Sequence, residues 1–446
     1  MNGKAIMTLC RPVVALLFAL ASCQSGVLDT EDGTRMAGDG EVVTRNVTIS
    51  MSPQSSASEV YGENWTTKTA LHLYDTAGIS KIGVEGKWHP VEWKVGDEIY
   101  CYCQTGVYMS YRLTEEDILA TGSFIGAEAK CQVIYRVGDT WVACYCKGPK
   151  IGNHIGYRQK DDLVLSNGIP REQTGVFDDY HICFAENHPD DPFEFQNMQA
   201  FVRFEVSQAS GSAVADGKLL GFPVTKIEVR SMTAREKMAG NLEILEDGGW
   251  RTSLLDRGEA ADSMITVTPS GGTFVKNTHY FVAVPARRYS DGLRFDLFTK
   301  ATGESAATRK AYVEVPGTTI QCFQIFNIHD LLKYCALLVT EINFDYGPDH
   351  KVETTGIEIV KGYTGKLVPV FTPTSATDKS VKWETDDPSV ATVDQNGNVT
   401  GMSLGTCFIT VTSKDGGNAS QKVKVTVKEE GGDGFDGYTP STFPWS

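Results

Sequence analysis

The residues Gly401-Met402-Ser403-Leu404-Gly405 match the G-x-S-x-G pattern that holds a nucleophilic serine on a strand-to-helix turn. That chemistry needs an acid and a histidine later in the chain, and no histidine follows Ser403. The flanking segments alternate like two strands, so the pattern reads as a turn and no catalytic residue is assigned. Cysteines are the next candidates. Cys101-x-Cys103 and Cys144-x-Cys146 each put two thiols on one face of an extended segment. If those segments paired, four sulfurs could approach the tetrahedral arrangement of a zinc site, or oxidise to disulfides in an exported chain. The tight spacing and the apolar or aromatic neighbours favour core cysteines, so no metal ligand is assigned and no cofactor is expected. His72, His89, His154, His181, His188, His279, His329 and His350 show no ligand spacing. His181 and His188, beside Asp190 and Asp191, read as a solvated turn. The acidic pairs Asp161 and Asp162, Asp178 and Asp179, Asp190 and Asp191, and Asp386 and Asp387 lack a twelve-residue calcium loop and read as turns. Trp65, Trp88, Tyr108 and Tyr111 could stack on sugar rings, although a sandwich places most aromatics in its core.

One further cysteine carries a different chemistry. Lys4 and Arg11 precede the apolar stretch 13–21, which gives way to Leu20-Ala21-Ser22-Cys23. A basic segment, a short apolar segment and small residues before the cut make a secretory signal peptide over residues 1–22. Leu20-Ala21-Ser22-Cys23 resembles the lipobox of bacterial lipoproteins. The resemblance implies diacylation of Cys23, which makes it the lipid attachment residue and the membrane a partner. The competing reading is a plain signal peptide with an incidental cysteine. Asp29, Glu31 and Asp32 close to Cys23 point to the cell-surface side of the outer membrane. Removing Lys4 and Arg11 leaves 39 basic residues against 56 acidic ones, a net charge of −17. That balance opposes a phosphate-binding face, so no nucleic-acid partner is expected. Removing Cys10 and assigning Cys23 to lipid leaves nine of the 11 cysteines, read mostly as core.

The elements that must position these residues are strands. The chain has 446 residues, 41% hydrophobic and 22% charged, the composition of a globular protein. Its length suggests about three domains. Val47, Ile49 and Met51 alternate with polar residues, as do Ile99, Cys101 and Cys103; Val202, Phe204 and Val206; Leu293, Phe295 and Leu297; and Val423, Val425 and Val427. A period of two between Gly, Asp, Asn and Pro clusters predicts antiparallel sandwiches. One short helix is expected over 114–119, with Thr114 and Asp117 at its start. Residues 23–45 read as a flexible tether and 429–446 as a loose tail. Boundaries are expected near 190 and over 347–355.

Two resemblances give this outline content. Gly356-Ile357-Glu358-Ile359, Val381-Lys382-Trp383, Pro388-Ser389-Val390-Ala391-Thr392-Val393-Asp394 and Gly405-Thr406-Cys407-Phe408-Ile409-Thr410-Val411 carry one of them. Through these residues, segment 353–427 resembles the bacterial Ig-like domain, group 2. Trp383 is the expected core filler, and Asp394-Gln395-Asn396-Gly397 the expected hairpin turn. This resemblance implies a spacer or adhesion module. Trp93-Lys94-Val95-Gly96-Asp97-Glu98-Ile99, Phe195-Gln196-Asn197-Met198-Gln199-Ala200-Phe201-Val202-Arg203-Phe204 and Tyr280-Phe281-Val282-Ala283-Val284-Pro285 occur in the order seen in the fimbrillin-like family. Segment 46–332 is similar to that family of surface lipoproteins and pilus subunits. The two resemblances imply an all-β protein of two tandem transthyretin-like β-sandwiches, 46–190 and 191–346, followed by an Ig-like β-sandwich, 347–428.

Pilus-forming members of the family are similar in carrying a cleavable arginine between their first two strands, which opens a groove for a donor strand. Here the first strand is expected at 46–51 and the second near 70–74, and no arginine lies between them. Cleavage after Arg35 or Arg45 would then remove only the tether. Pro440 and Pro444 make the tail a poor ladder strand. The expected role is a non-catalytic, lipid-anchored adhesin or accessory, tip- or anchor-type fimbrial subunit. Its partners would be other fimbrial subunits or surface glycans and proteins. The alternative is a glycan-binding lipoprotein of an outer-membrane nutrient uptake system.

Overall fold

A computed structural model describes residues 40–51, 70–76, 82–90, 93–105, 107–121, 124–147, 155–157, 163–207, 214–215, 217–246, 250–254, 262–320, 324–344 and 356–430. Among them, strands dominate, as the period-two pattern predicts; the α-helix is a single turn, Leu331–Tyr334, capped by the Asp330 carboxylate, which accepts from the Leu332 amide at 3.1 Å. Residues 114–119 are not helical. Asp117 accepts from the Thr114 amide at 2.8 Å and from its hydroxyl at 2.7 Å, closing a turn that feeds the strand Ile118–Thr121. The side chain that would cap a helix closes a local loop here, because the next residues find a sheet partner in Phe124–Arg136.

The largest sheet has eight strands, in the order Tyr108–Arg112, Glu98–Cys103, Val142–Lys147, Ile182–Asn187, Phe193–Asn197, Val42–Met51, Phe124–Arg136, Ile118–Thr121. It folds over so that Glu98–Cys103 also packs on Phe124–Arg136. A five-stranded sheet runs Tyr280–Val284, Ala200–Glu205, Gln324–Asp330, Ala70–Thr76, Ile82–Pro90. A third sheet centres on Phe222–Ser231, Leu293–Thr299 and Thr308–Val315.

These sheets run across the boundary expected near 190. Val42–Met51 pairs in parallel with Phe193–Asn197, Ile49 opposite Phe193. Ala70–Thr76 pairs in parallel with Gln324–Asp330, Leu73 opposite Ile325. One continuous hydrophobic core therefore extends from Val47 to Leu337. Local alternation shows that a segment is a strand; it carries no record of a partner far along the chain.

The first strand begins earlier than expected. Val42 to Arg45, assigned to the tether, pair with Arg136 to Val133. Arg45 lies inside the strand, its Nε donating to the Tyr135 hydroxyl at 3.3 Å and lying 3.4 Å from Asp190. Cleavage after Arg45 would thus cut into the ladder and not merely free a tether. Val43 keeps the period of Val47 and Ile49, with Val42, Thr44, Asn46 and Thr48 on the other face, and the Gly-rich residues before it obscure this.

A second core, from Val339 to Val427, belongs to the C-terminal sandwich. One sheet orders Gly356–Val360, Ser420–Lys428, Gly405–Ser413, Val381–Thr385, against Thr364–Lys366, Asn398–Gly401, Ala391–Val393. Trp383 fills this core as expected, 4% exposed and stacked on Phe344 with centroids 6.0 Å apart. Gly397 closes the expected hairpin at φ +85°, with the Asp394 carboxylate accepting from the Asn396 and Asn398 amides at 2.8 and 2.9 Å. A Cβ there would meet the Leu367 carbonyl oxygen at 2.6 Å, so only glycine fits. This core opens before the expected boundary over 347–355: Glu341–Phe344 pairs with Pro369–Thr372, and Ile342 and Phe344 are buried. The first core ends at Leu337 and the second begins at Val339, which leaves Leu338 as the sole residue between them.

Candidate functional site

The cysteine pairs do share a face. Glu98–Cys103 and Val142–Lys147 pair antiparallel with Cys101 opposite Cys144 and Ile99 opposite Cys146, and Ile182–Asn187 places Cys183 on the other side of Cys146. Cys101, Cys103, Cys131, Cys144, Cys146 and Cys183 are all buried, and the sulfurs of Cys101 and Cys144 lie 3.0 Å apart. On the opposite face of the same strands, Tyr100 stacks on Tyr145 at 5.0 Å. Both faces are therefore core. Burial pushes the thiols of Cys144, Cys146 and Cys183 well up. It does the same to Cys131, and it takes Cys335 to about 11. A thiol held neutral this way is a poor nucleophile. Among the described residues no group of three or more His, Cys, Asp or Glu side chains is placed to hold a metal ion.

Ser403 sits in the turn between Asn398–Gly401 and Gly405–Ser413, where its hydroxyl donates to the Ser389 carbonyl at 2.5 Å. The strand-to-helix elbow of a hydrolase is absent at that turn. The acidic pairs brace their loops, some locally and some to other strands. Asp179 accepts from the Thr174 hydroxyl at 2.5 Å and Asp190 from the Tyr135 hydroxyl at 3.0 Å. Asp386 accepts from the Phe408 amide at 2.7 Å and Asp387 from the Ser389 amide at 3.0 Å. His279 meets Glu205 at 2.7 Å, and His188 lies 3.9 Å from Asp190. Tyr111 is half-buried and donates to the Asp117 carboxylate at 3.1 Å; burial first and that carboxylate second push its phenol up to about 12. Cys23, Trp65, Asp161, Asp162 and His350 lie outside the described residues, as do the side chains of Trp88 and Tyr108.

Three features escaped the sequence reading. The first is Asp296, which alternation places on the outer face of its strand, yet it is 2% exposed. Arg294 on the same strand reaches it at 2.9 Å, Arg230 at 3.1 Å from one neighbouring strand and Arg309 at 3.2 Å from the other. A carboxylate survives burial only when so paired. The second is Gln173, buried on a two-residue strand. Its amide donates to the carbonyls of Pro170 and Ala283 and accepts from the Ala283 amide, at 2.9 to 3.1 Å. The third is the joint between the two cores. Ala336 and Leu337 pair with Tyr312 and Ala311, and the Leu338 amide donates to the Lys310 carbonyl at 2.9 Å. From the C-terminal sandwich, the Thr377 hydroxyl accepts from the Leu337 amide at 2.9 Å, and the Thr377 amide donates to the Leu337 carbonyl at 3.0 Å. Asp415 accepts from the Val339 amide, and Arg309 donates to the Gly416 carbonyl. No signal in one dimension announces these partners. What the assembled geometry offers is a set of braced surfaces, and no reactive centre is assembled among the described residues.

Comparison with known proteins bears on the C-terminal sandwich. Residues 350–431 match the bacterial Ig-like domain (group 2). An uncharacterised protein of Clostridium acetobutylicum is 44% identical over 70 residues, 16% of this chain and 18% of that one. The 3-O-alpha-D-galactosyl-alpha-L-arabinofuranosidase of Bifidobacterium longum subsp. longum is 44% identical over 79 residues, 16% of this chain and 7% of that enzyme. The chain thus spans less than a fifth of the length of these relatives. Among solved structures, invasin, described as a bacterial integrin-binding protein, aligns over 87% of this chain and 79% of that one, at 9% identity. Its TM-score is 0.16, too low to carry an argument. The chain is therefore all-β, with a bacterial Ig-like domain (group 2) as its C-terminal sandwich.

Proposed function

We propose that the protein is a lipid-anchored cell-surface adhesin or accessory, tip- or anchor-type fimbrial subunit, acting by binding and display. The observation that carries this reading is Cys23 behind Leu20-Ala21-Ser22, ahead of two β bodies joined with no slack. The fimbrillin-like order of motifs over 46–332 and the Ig-like module, a spacer or adhesion unit, support it. The lipid on Cys23 holds the chain at the outer membrane, and the braced bodies carry a binding surface outward. The partners are other fimbrial subunits or surface glycans and proteins.

Protease shaving of intact cells, followed by N-terminal sequencing of the released material, tests the reading. Release with a terminus upstream of residue 52, and loss of palmitate labelling in Cys23→Ala, are the expected results. Protection of the protein in intact cells would remove the adhesin reading. A new terminus within 52–69 would instead make the chain a polymerising subunit. The second reading, a glycan-binding lipoprotein of an outer-membrane nutrient uptake system, is favoured by one observation: a relative that shares the Ig-like segment is named for action on an arabinofuranosidic glycan. Glycan-array binding that disappears when Trp65 or Trp88 is changed would select it.

A further inference from the structure

The structure sets two cysteines of the thiol face sulfur against sulfur. Cys101 and Cys144 are direct cross-strand partners, and each is fully buried. Their sulfurs are 3.0 Å apart, closer than unbonded sulfurs ordinarily pack. Directly opposed residues of an antiparallel pair have Cα atoms about 4.5 to 5.5 Å apart, inside the range of about 4.4 to 6.8 Å that a disulfide spans. The register cannot drift, since Tyr100 stacks on Tyr145 across the same two strands. The other thiols are placed differently. Cys103 faces Val142, and its sulfur lies 3.4 Å from the Thr105 hydroxyl. Cys131 comes from Phe124–Arg136, which packs on the strand of Cys101 and is not its sheet neighbour. Cys183, although opposite Cys146, sets its sulfur 3.4 Å from the ring of His181.

We infer that Cys101 and Cys144 close a disulfide when the chain folds in an oxidising compartment. The inference rests on the proposed export. Each sulfur gives up its hydrogen and one S–S bond forms between them. The two protons and two electrons pass to a disulfide-bearing exchange partner, protein or small molecule, whose own S–S bond opens to two thiols. Burial holds the folded Cys144 thiol neutral, so exchange belongs to the folding chain, before the sheet closes over the pair. Once closed, the same burial shields the bond from reductants. The loop it ties contains Tyr108–Arg112, Ile118–Thr121 and Phe124–Arg136, and the bond itself fastens the second strand of the eight-stranded sheet to the third.

The test is to refold the full chain in a mixture of oxidised and reduced glutathione, alkylate it under denaturing conditions and map the peptides. A single joined pair through Cys101 and Cys144 is expected, absent from Cys101→Ser and from Cys144→Ser. The oxidised chain should melt about 5 °C above the reduced one. Alkylation of both thiols without reduction, or either sulfur joined to Cys131 or Cys146 instead, overturns the inference. The wild-type map decides the matter even if the variants fail to fold. Export is read separately, on protein taken from its own cells: reduced thiols there, with the bond forming on refolding, would count against export and leave the pairing intact.

Discussion

The larger body and the Ig-like module are both β-sandwich material, yet they are assembled on different plans. In the module, the facing strands Ala391–Val393 and Asn398–Gly401 are joined by a tight turn, and Gly405–Ser413 meets Ser420–Lys428 across a short loop. In the larger body, Val42–Met51 finds Phe193–Asn197 and Ala70–Thr76 finds Gln324–Asp330, each across well over a hundred residues. Both are parallel pairs, which cannot be closed by a hairpin. The module also closes one parallel pair, Gly356–Val360 with Ser420–Lys428, but over a much shorter span, so the larger body must pay more loop entropy before its central strands are satisfied. The two plans predict different responses to damage.

The largest effect should come from truncation. Residues 338–430 alone are expected to give a cooperative thermal transition by circular dichroism, while a chain lacking 40–51 should lose the transition of the larger body entirely. A module that stays unfolded alone would break the contrast. Within the module, Trp383→Ala removes a buried aromatic and should cost about 4 kcal/mol in denaturant unfolding. Within the larger body, Asp296→Ala leaves three guanidinium groups facing an empty position and should cost about 3 kcal/mol. If instead it proves neutral, the arginines are solvated and the outer face is not the brace it looks. At the joint, Asp415→Ala removes the acceptor for Val339, Ser413 and Gly417. A loss of about 1 kcal/mol and a separation of one calorimetric transition into two are expected.

The smallest effect concerns pH. The hydrogen bonds from the Asn398 side chain, and then from its amide, hold the exposed Asp394 carboxyl below the usual carboxylate range. Its folded pKa is depressed, so its contribution to stability is full above the unfolded value near 3.9 and is lost as pH falls through the folded value. A carboxyl-carbon NMR titration should show this depression, and Asn398→Ala should relax it toward the ordinary value.

How far the sequence could be read follows from the same contrast. The alternation of Leu293, Phe295 and Leu297, or of Val423, Val425 and Val427, marks strands wherever one face is buried. The turn at Asp394 to Gly397 is legible because its chemistry is contained in four consecutive residues. Asp296 was hidden because its partners Arg230 and Arg309 lie on other strands, and an aspartate at an outward position reads as solvated. The continuity of the core across residue 190 was hidden for the same reason: parallel partners leave no local trace. The helix expected over 114–119 failed because Asp117 satisfies the same amides in a turn as it would in a cap. The thiol face was legible as two spaced pairs, but the pairing of Cys101 with Cys144 depends on a register that only the assembled sheet fixes.

The joint at Leu338 has a mechanical consequence. A chain held at one end and gripped at the other transmits tension through its weakest connection, and a loose linker would stretch first and shield both bodies. Here the connecting segment is laced to Lys310 and Ala311 on one side and to Thr377 and Asp415 on the other. Pulling on the Ig-like module therefore loads several hydrogen bonds at once and tilts the larger body with it, so the pair swings as a stiff rod and not as beads on a string.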